Sequence, residues 1–236
     1  MNAALILSGG TGSRFNSDIP KQYCKINDRT VISYVIEAFF HHPDIEAVHI
    51  VAEPEYRDLI EADIEKYGKP GLFKGFLKPG VNRQLSVLNG LRGMLSYMED
   101  DDVVLIHDAA RPAVSRELIS GVISGMEDHE GIVPVIPVKD TVYELDCERK
   151  ISGLLCRDKL GAGQTPEGFV MGKYFKANTD LLPEKILGIR GSAEPAFYAG
   201  MDIGVVPGDE NNIKLTTRED FSRISNIIND VGTHRL

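Results

Sequence analysis

The sequence has 236 residues, of which 42% are apolar and 7% aromatic, and its formal net charge at pH 7 is −9. This length and apolar content suffice for one compact domain with a full core, and we expect a single domain over residues 1–236. The acidic charge argues against a nucleic-acid partner, because binding to the phosphate backbone requires a basic surface. Any phosphate chemistry would therefore depend on local cations.

The pattern of apolar residues also argues against a membrane partner. No apolar stretch approaches the roughly 18 residues of a spanning helix, and the first residues predict a strand rather than a cleaved signal. The three cysteines, Cys24, Cys147 and Cys156, form neither an even set for disulfides nor a CxxC pair. We therefore expect a cytoplasmic protein without a disulfide framework.

Short apolar runs of strand length alternate with stretches of helical spacing along the chain. The predicted strands are residues 3–7, 47–52, 103–107, 131–137 and 201–206. The predicted helices are residues 31–40, 55–67, 84–97, 118–126 and 218–228. Right-handed crossovers fold such an alternation into a doubly wound, mainly parallel sheet, so the expected fold is α/β and Rossmann-like. Ligands of these sheets bind beyond the carboxyl ends of the strands.

The alternation breaks after residue 137. Residues 139–145 and 151–157 predict two strands around a charged turn at 146–150. We interpret the region at about 138–161 as a protruding β-arm. A two-stranded hairpin by itself is only marginally stable in water, so we expect the arm to pack on a second subunit as a dimerisation element.

The first predicted strand ends in a glycine-rich loop, residues 7–14, with the sequence LSGGTGSR. Glycines at this place permit φ > 0 and let backbone N–H groups approach an anion closely. Arg14 and Lys21 flank the loop and could offset the charge that develops on phosphates during nucleotidyl transfer. The loop lacks the endings of a Walker loop and of a dinucleotide loop, which argues against a dehydrogenase. An ordinary turn with two solvated cations would also fit the loop alone.

A second candidate site follows the predicted strand at residues 103–107. Asp108 would lie at the binding rim, where its carboxylate could hold Mg²⁺ together with substrate phosphates and water. Arg111 could receive the phosphate of an acceptor. Alternatively, Asp108 caps the following turn and Pro112 sets the chain direction. His107 is interpreted as structural, because a lone histidine beside a strand is usually hydrogen-bonded packing.

Six short motifs occur in order along the chain. They are the glycine loop with PKQ at 20–22, residues 80–86 with Arg83, HDAARP at 107–112, PVKDT at 137–141, QTP at 164–166 and NIK at 212–214. In these motifs the chain resembles the bacterial cytidylyltransferases that act on 2-C-methyl-D-erythritol 4-phosphate or D-ribitol 5-phosphate. The resemblance covers nearly the whole chain. It implies transfer of CMP from CTP to a polyol phosphate with Mg²⁺, release of pyrophosphate, and a homodimer formed through the arm.

The resemblance also implies roles for individual residues. Arg14, Lys21 and Lys214 would be catalytic cations, and Asp108 would hold the metal. The second metal ligand stays open between Asp209, Glu210 and Asn211. The implied nucleotide-binding residues are Leu7, Ser8, Gly9, Gly10, Gly12, Gly80, Arg83, Ser86, Asp108 and Ala109. The implied acceptor-binding residues are Arg111 and, from the neighbouring subunit, Thr141 and Arg157. Ser192, which stands where the chain departs from the family pattern, could supply a further hydroxyl to the acceptor.

The chain departs from the family pattern on the acceptor side. Family members usually carry a Thr/Ser-Asp stretch before the last strand, where this chain has Arg190, Gly191 and Ser192. The acceptor therefore stays open between the methylerythritol phosphate of isoprenoid biosynthesis, ribitol phosphate, and another polyol phosphate used for cell wall polysaccharide. Alternative functions are a sugar-phosphate nucleotidyltransferase that uses another NTP and a nucleotide-binding regulatory protein without turnover.

Overall fold

Helices and strands alternate along most of the chain in the computed structural model, which describes residues 1–10, 15 and 19–233. Helices α1 to α7 span Val31–Phe40, Arg57–Tyr67, Arg83–Met94, Arg116–Gly125, Met171–Thr179, Ala193–Tyr198 and Arg218–Thr233. Strands β1 to β12 span Asn2–Leu7, Lys25–Ile26, Arg29–Thr30, Ala47–Val51, Phe73–Leu77, Val103–Asp108, Gly131–Pro137, Val142–Leu145, Ile151–Leu155, Gly161–Gly163, Glu167–Val170 and Ile203–Pro207. Among the described residues, no helix is both long enough and apolar enough to cross a bilayer.

Within the described residues, the main sheet has eight strands in the order β10-β7-β11-β6-β1-β4-β5, and β12 also pairs with β7. Strand β1 lies between β4 and β6 and is parallel to both. Strand β5 is parallel to β4, and β12 is parallel to β7. Strands β10 and β11 run antiparallel to their neighbours. The predicted α/β fold with a mainly parallel sheet is therefore confirmed.

Helices cover both faces of the sheet, because its central strand is apolar on both faces. Ala4 and Ile6 pack in a core with α1, α2 and α4, whereas Ala3 and Leu5 pack in a core with α3, α5 and α6. All four side chains are fully buried. Burial of one large aliphatic side chain contributes about 1.5–3 kcal/mol to folding. A continuous apolar run, rather than an alternating one, is the sequence pattern of such a doubly covered strand.

Several elements differ from the sequence prediction. Strand β5 reads FKGFL, and its lysine and glycine hide the apolar pattern. Strand β11 has only four residues and carries the buried Glu167, so it too lacks a clear period. Helices α5 and α6 were not predicted either. The antiparallel insertion of β11 between β6 and β7 is a tertiary arrangement that no local period indicates.

The predicted arm is present as the antiparallel pair of β8 and β9. Among the described residues, these two strands form a sheet of their own. The charged turn is ordered by Asp146, whose Oδ1 accepts hydrogen bonds from the backbone N–H groups of Glu148 and Lys150, both at 2.9 Å. The chain returns to the main sheet at Gly161, where β10 begins.

Candidate active site

A cavity of about 420 Å³ opens at the carboxyl ends of β1 and β6. This volume lies in the range of ligand pockets, and its position is the one expected for an open α/β sheet. It is lined by nine of the residues that the sequence indicated: Leu7, Gly9, Gly10, Lys21, Gly80, Arg83, Ser86, Asp108 and Lys214. The first three of the six motifs and the last one therefore converge in space.

The described part of the glycine loop is held by the side chain of Gln22. Its Nε2 donates hydrogen bonds to the carbonyl oxygens of Ser8 at 2.7 Å and Gly10 at 2.8 Å. The hydroxyl of Tyr23 donates to the Ser8 carbonyl at 3.0 Å. A Cβ atom on Gly9 would lie 2.6 Å from Cγ of Pro79, so only glycine lets the two walls of the cavity pack together here. This part of the loop is thus fixed from behind, while Gly9 and Gly10 line the cavity.

The opposite wall is the turn that starts helix α3. The side chain of Asn82 caps this helix by accepting a hydrogen bond from Leu85 N at 2.8 Å, an interaction that contributes about 1 kcal/mol. Ser86 Oγ accepts a hydrogen bond from Gly80 N at 2.9 Å. A Cβ atom on Gly80 would approach Leu85 Cβ to 2.4 Å, which excludes other residues. This tight turn places Arg83 in the first turn of α3, at the cavity.

Asp108 is the centre of charge in the site. Its Oδ1 accepts a hydrogen bond from Arg83 Nε at 3.0 Å, and its Oδ2 accepts one from Lys214 Nζ at 2.7 Å. Burial by itself would raise the pKa of Asp108, but the positive charges of Arg83 and Lys214 outweigh it and hold this pKa well below its usual range. The side chain therefore stays ionised and forms ion pairs with Arg83 and Lys214, instead of capping the following turn.

His107 is fully buried behind Asp108. Its Nε2 lies 3.2 Å from the carbonyl oxygen of Arg111, and its Nδ1 lies 3.2 Å from Thr165 Oγ1. Burial lowers the pKa of His107 to about 3, so the ring is neutral at physiological pH. These contacts agree with the interpretation of His107 as a structural residue.

The neutral state of His107 should appear in the pH dependence of stability. In the unfolded chain the His107 ring is protonated below about pH 6.5, whereas in the folded chain it stays neutral down to about pH 3. Acidification therefore favours unfolding. From pH 7 to pH 5 this effect should lower the free energy of unfolding by about 2 kcal/mol. Burial also lowers the pKa of His42 and of His49, which act in the same direction. Urea unfolding of His107→Gln should therefore show a weaker pH dependence than the wild type, and equal dependence would contradict this account.

Several of the residues predicted for the acceptor lie elsewhere. Ser192 is buried behind Arg83, and its Oγ accepts a hydrogen bond from Arg83 Nη1 at 2.7 Å, so its hydroxyl positions this arginine instead of facing the cavity. Arg111 donates from Nη1 to the carbonyl oxygen of Asn212 at 2.7 Å, and it does not line the cavity. Thr141 and Arg157 lie at the base of the arm, where both are exposed.

Other predicted residues are also set apart from the cavity. Asp209 Oδ1 accepts a hydrogen bond from Asn211 N at 2.8 Å and so orders its own loop, and Asp209 does not line the cavity. Ala109 is buried, and the next residue, Ala110, lines the cavity in its place. Ser8 faces a smaller neighbouring hollow that Tyr23 and Tyr56 also line. Gly12 and Arg14 lie outside the described residues.

Some residues of the site were not singled out from the sequence. The cavity is also lined by Gln22, Glu53, Val81, Asn82 and Ala110. Gln22 stands in the PKQ motif, so its place next to Lys21 could have indicated a role in the loop. Glu53 follows β4 and lies at the same edge of the sheet as Asp108, a placement that only the strand order reveals.

Comparison with known proteins identifies the family. The family described as 2-C-methyl-D-erythritol 4-phosphate cytidylyltransferase matches residues 2–230. A relative of that name from Roseobacter denitrificans is 37% identical over 225 residues, which are 95% of this chain and 96% of the relative. One from Thermosipho melanesiensis is 32% identical over 94% of this chain and 95% of its own length. The chain belongs to this family.

Other relatives are longer. A protein from Bradyrhizobium sp. strain BTAi1 named bifunctional enzyme IspD/IspF is 35% identical over 221 residues, which are 94% of this chain but 55% of that protein. The chain therefore spans about half the length of such bifunctional members of the family.

Solved structures show the same fold. A 4-diphosphocytidyl-2C-methyl-D-erythritol synthase from Anaerococcus prevotii superposes with a TM-score of 0.81 over 97% of this chain and 98% of its own, at 23% identity. The 2-C-methyl-D-erythritol 4-phosphate cytidylyltransferase of Francisella tularensis gives 0.80 over 96% and 99%, also at 23%.

The resemblance inferred from the six motifs is thus confirmed on its methylerythritol side. The ribitol phosphate alternative is not needed to explain these similarities. They give no support to a role in cell wall polysaccharide.

Proposed function

We propose that this chain transfers the cytidylyl group of CTP to 2-C-methyl-D-erythritol 4-phosphate, with release of pyrophosphate. The observation that carries the proposal is the ionised Asp108 with Arg83 and Lys214, which faces the glycine loop across one cavity. Family membership supports the choice of CTP and of the acceptor. The reaction would belong to isoprenoid biosynthesis in the cytoplasm.

The chemistry needs charge and positioning more than it needs a protein nucleophile. An oxygen of the acceptor phosphate forms a bond to the α-phosphorus of CTP, while the bond from that phosphorus to the bridging oxygen of pyrophosphate breaks. The acceptor phosphate is already anionic, so a general base is not required. Lys21 and Lys214 line the cavity and would offset the charge on the α-phosphate and the leaving group. We assign the same role to Arg14.

The residues of the site fit one divalent metal ion. Mg²⁺ prefers one or two carboxylates and completes its shell with phosphate and water oxygens. Asp108 is an ionised carboxylate at the cavity, and Glu53 is a second carboxyl group among the lining residues. We therefore propose Asp108 as the protein ligand, with Glu53 better placed than Asp209 to approach the same ion. When bound, Mg²⁺ would neutralise part of the phosphate charge.

The two walls of the cavity would contact different parts of the nucleotide. The glycine loop presents Gly9 and Gly10 without side chains, so the triphosphate can approach the main chain closely. We assign the cytosine and ribose to the space between this loop and the turn at Gly80 and Ser86. Arg83, held by Asp108 and Ser192, would border the phosphates.

A homodimer through the arm would complete the acceptor side. The arm exposes large apolar side chains, including Tyr143 at 50%, Ile151 at 65% and Leu154 at 69% of their surface. A hairpin of two strands that exposes these groups gains stability when a second copy covers them. We propose that each arm covers the other subunit and brings Thr141 and Arg157 to the acceptor phosphate there.

A charged residue in the arm should therefore weaken the dimer. Leu154→Lys would place a charge in the proposed interface, where its desolvation is costly. We expect light scattering after size-exclusion chromatography to show monomers at concentrations where the wild type is dimeric, with kcat/KM for the acceptor at least about tenfold lower. The control is Leu59→Lys on the outer side of α2, which should leave both values unchanged. A monomeric wild type would contradict the proposal.

The reaction itself is tested by release of pyrophosphate. The protein is incubated with Mg²⁺, CTP and 2-C-methyl-D-erythritol 4-phosphate, with D-ribitol 5-phosphate as the alternative acceptor and UTP, GTP and ATP as alternative nucleotides. We expect turnover with CTP and the methylerythritol phosphate to exceed every other pair by at least about a hundredfold in kcat/KM. CTP binding by calorimetry without pyrophosphate release would instead indicate a regulatory protein. Preference for another nucleotide would indicate a different nucleotidyltransferase.

A further inference from the structure

Two side-chain amides tie the loop of Lys214 to the sheet. Residues 208–215 have no helix or strand of their own. Gln164 binds the main chain of Asp209 in both directions, because its Nε2 donates to the carbonyl oxygen at 2.8 Å and its Oε1 accepts from the N–H group at 3.0 Å. Asn212 Nδ2 donates to the carbonyl oxygen of Thr165 at 2.7 Å. The two amides thus close the loop on one short segment, residues 164–165.

The same segment is joined to the strand end that carries Asp108. The backbone N–H of Asp108 donates to Thr165 Oγ1 at 3.2 Å. Asn212 therefore connects the loop of Lys214 to the main chain of Asp108 through one intervening residue, Thr165. Further along the loop, the N–H of Leu215 donates to the carbonyl oxygen of Ala110 at 2.8 Å. Lys214 lies between these two attachments, and its ammonium contacts Asp108.

The contribution of Asn212 to stability does not by itself explain an asparagine at this position. Its side chain is fully buried, and its Oδ1 has no hydrogen-bond partner among the described residues. An unmet buried acceptor costs at least as much free energy as one hydrogen bond returns. An apolar side chain of similar size would remove this unmet acceptor but would leave the Thr165 carbonyl oxygen without its donor, so the two effects on stability would largely offset each other. The value of the amide therefore lies in where its Nδ2 holds the loop.

We propose that Gln164 and Asn212 are positioning residues that hold the Lys214 ammonium on Asp108, where charge develops during cytidylyl transfer. The inference rests on the proposed function, in which Lys214 is a catalytic cation. Neither amide contacts the reacting atoms. Without these two amides, the irregular loop would allow the Lys214 ammonium to move away from Asp108. The negative charge of the transition state would then be stabilised less well.

Asn212→Leu tests the proposal, because it removes the donor and the unmet acceptor at nearly constant size. We expect kcat to fall about tenfold, KM for CTP to change by less than about threefold, and the thermal midpoint to change little. Gln164→Met is the second variant and should lower kcat in the same way. The control is Asn178→Leu at another fully buried asparagine, whose Nδ2 donates to the Tyr174 carbonyl oxygen. It should lower stability but keep kcat within about twofold.

A double-mutant cycle asks whether the amide acts through Lys214. If it does, Asn212→Leu combined with Lys214→Met is no slower than Lys214→Met alone. Losses of rate that multiply in the double variant would overturn the proposal. So would wild-type kcat in both Asn212→Leu and Gln164→Met.

A second readout needs no turnover and separates this proposal from the proposed function. The wild-type Lys214 amine, bound to Asp108, should react slowly with an acetylating reagent, as followed by mass spectrometry of the peptide. Asn212→Leu should raise that rate several-fold without changing the rate at the exposed Lys176. Equal rates at Lys214 would overturn the positioning role. A wild type without pyrophosphate release would contradict only the proposed function.

Discussion

Replacing Lys214 with methionine should lower kcat for cytidylyl transfer by about 10²–10³-fold. The ammonium is held at 2.7 Å from Asp108 Oδ2 at the edge of the cavity, where a phosphate can share it. Methionine keeps much of the side-chain length and removes the charge. Because the charge of the α-phosphate and leaving group is largest in the transition state, the loss should fall mainly on kcat, with a smaller rise in KM for CTP. Steady-state release of pyrophosphate measures both constants.

The chain offers a matched control for this substitution. Lys176 forms a salt bridge to Asp180 on the exposed side of α5, away from the cavity. Exposed pairs of this kind contribute little to stability, so Lys176→Met should keep kcat and the thermal midpoint close to those of the wild type. A similar loss of activity in both variants would mean that the effect of Lys214→Met is not local. Wild-type kcat in Lys214→Met would remove this lysine from the mechanism.

The parts of the fold that could be predicted are those with strong local periods. Strand β7 and helix α1 have the predicted bounds, because a doubly buried strand is apolar throughout and helix α1 buries one broad apolar face. Strand β11 could not be predicted, since it is stabilised by the sheet on both sides rather than by its own four residues. Its place also decides where Glu167 lies. The prediction was weakest where long-range pairing replaces local pattern.

The candidate site shows the same division. Asp108, Lys214 and the glycines could be proposed from motifs, because the residue type by itself indicates the role: a carboxylate can bind a metal ion, an ammonium can bind phosphate, and a glycine allows close approach of the main chain. The contact between Ser192 and Arg83 could not be predicted, because a sequence separation of 109 residues gives no indication that the two side chains form a hydrogen bond. Asn212 was part of a motif, yet its function as an anchor depends on Thr165, which is 47 residues away. Positioning contacts of this kind become visible only in three dimensions.

Asp108→Asn should lower kcat even more than Lys214→Met does. It should not weaken the binding of CTP in the absence of metal. With Mg²⁺ present, we expect kcat to fall by at least about 10³-fold, because the site loses its proposed metal ligand and the anchor of two cations. The thermal midpoint should also fall, since Arg83 loses its charged partner in a largely buried place. The cost should be about 2 kcal/mol, below that of a fully buried pair, because the Lys214 side chain is 39% exposed.

Metal-free binding separates the electrostatic role of Asp108 from its structural role. In the wild type the carboxylate already occupies Arg83 and Lys214, so the phosphates of CTP must compete with it. Asparagine releases both cations, and calorimetry in EDTA should therefore show CTP binding at least as tightly as to the wild type. Asp180→Asn, which breaks the exposed pair with Lys176, should change neither kcat nor this affinity. Weaker metal-free binding of CTP by Asp108→Asn would mean that the carboxylate maintains the shape of the cavity rather than balancing its charge. Loss of that shape would remove contacts to the phosphates, whereas release of the two cations should add them.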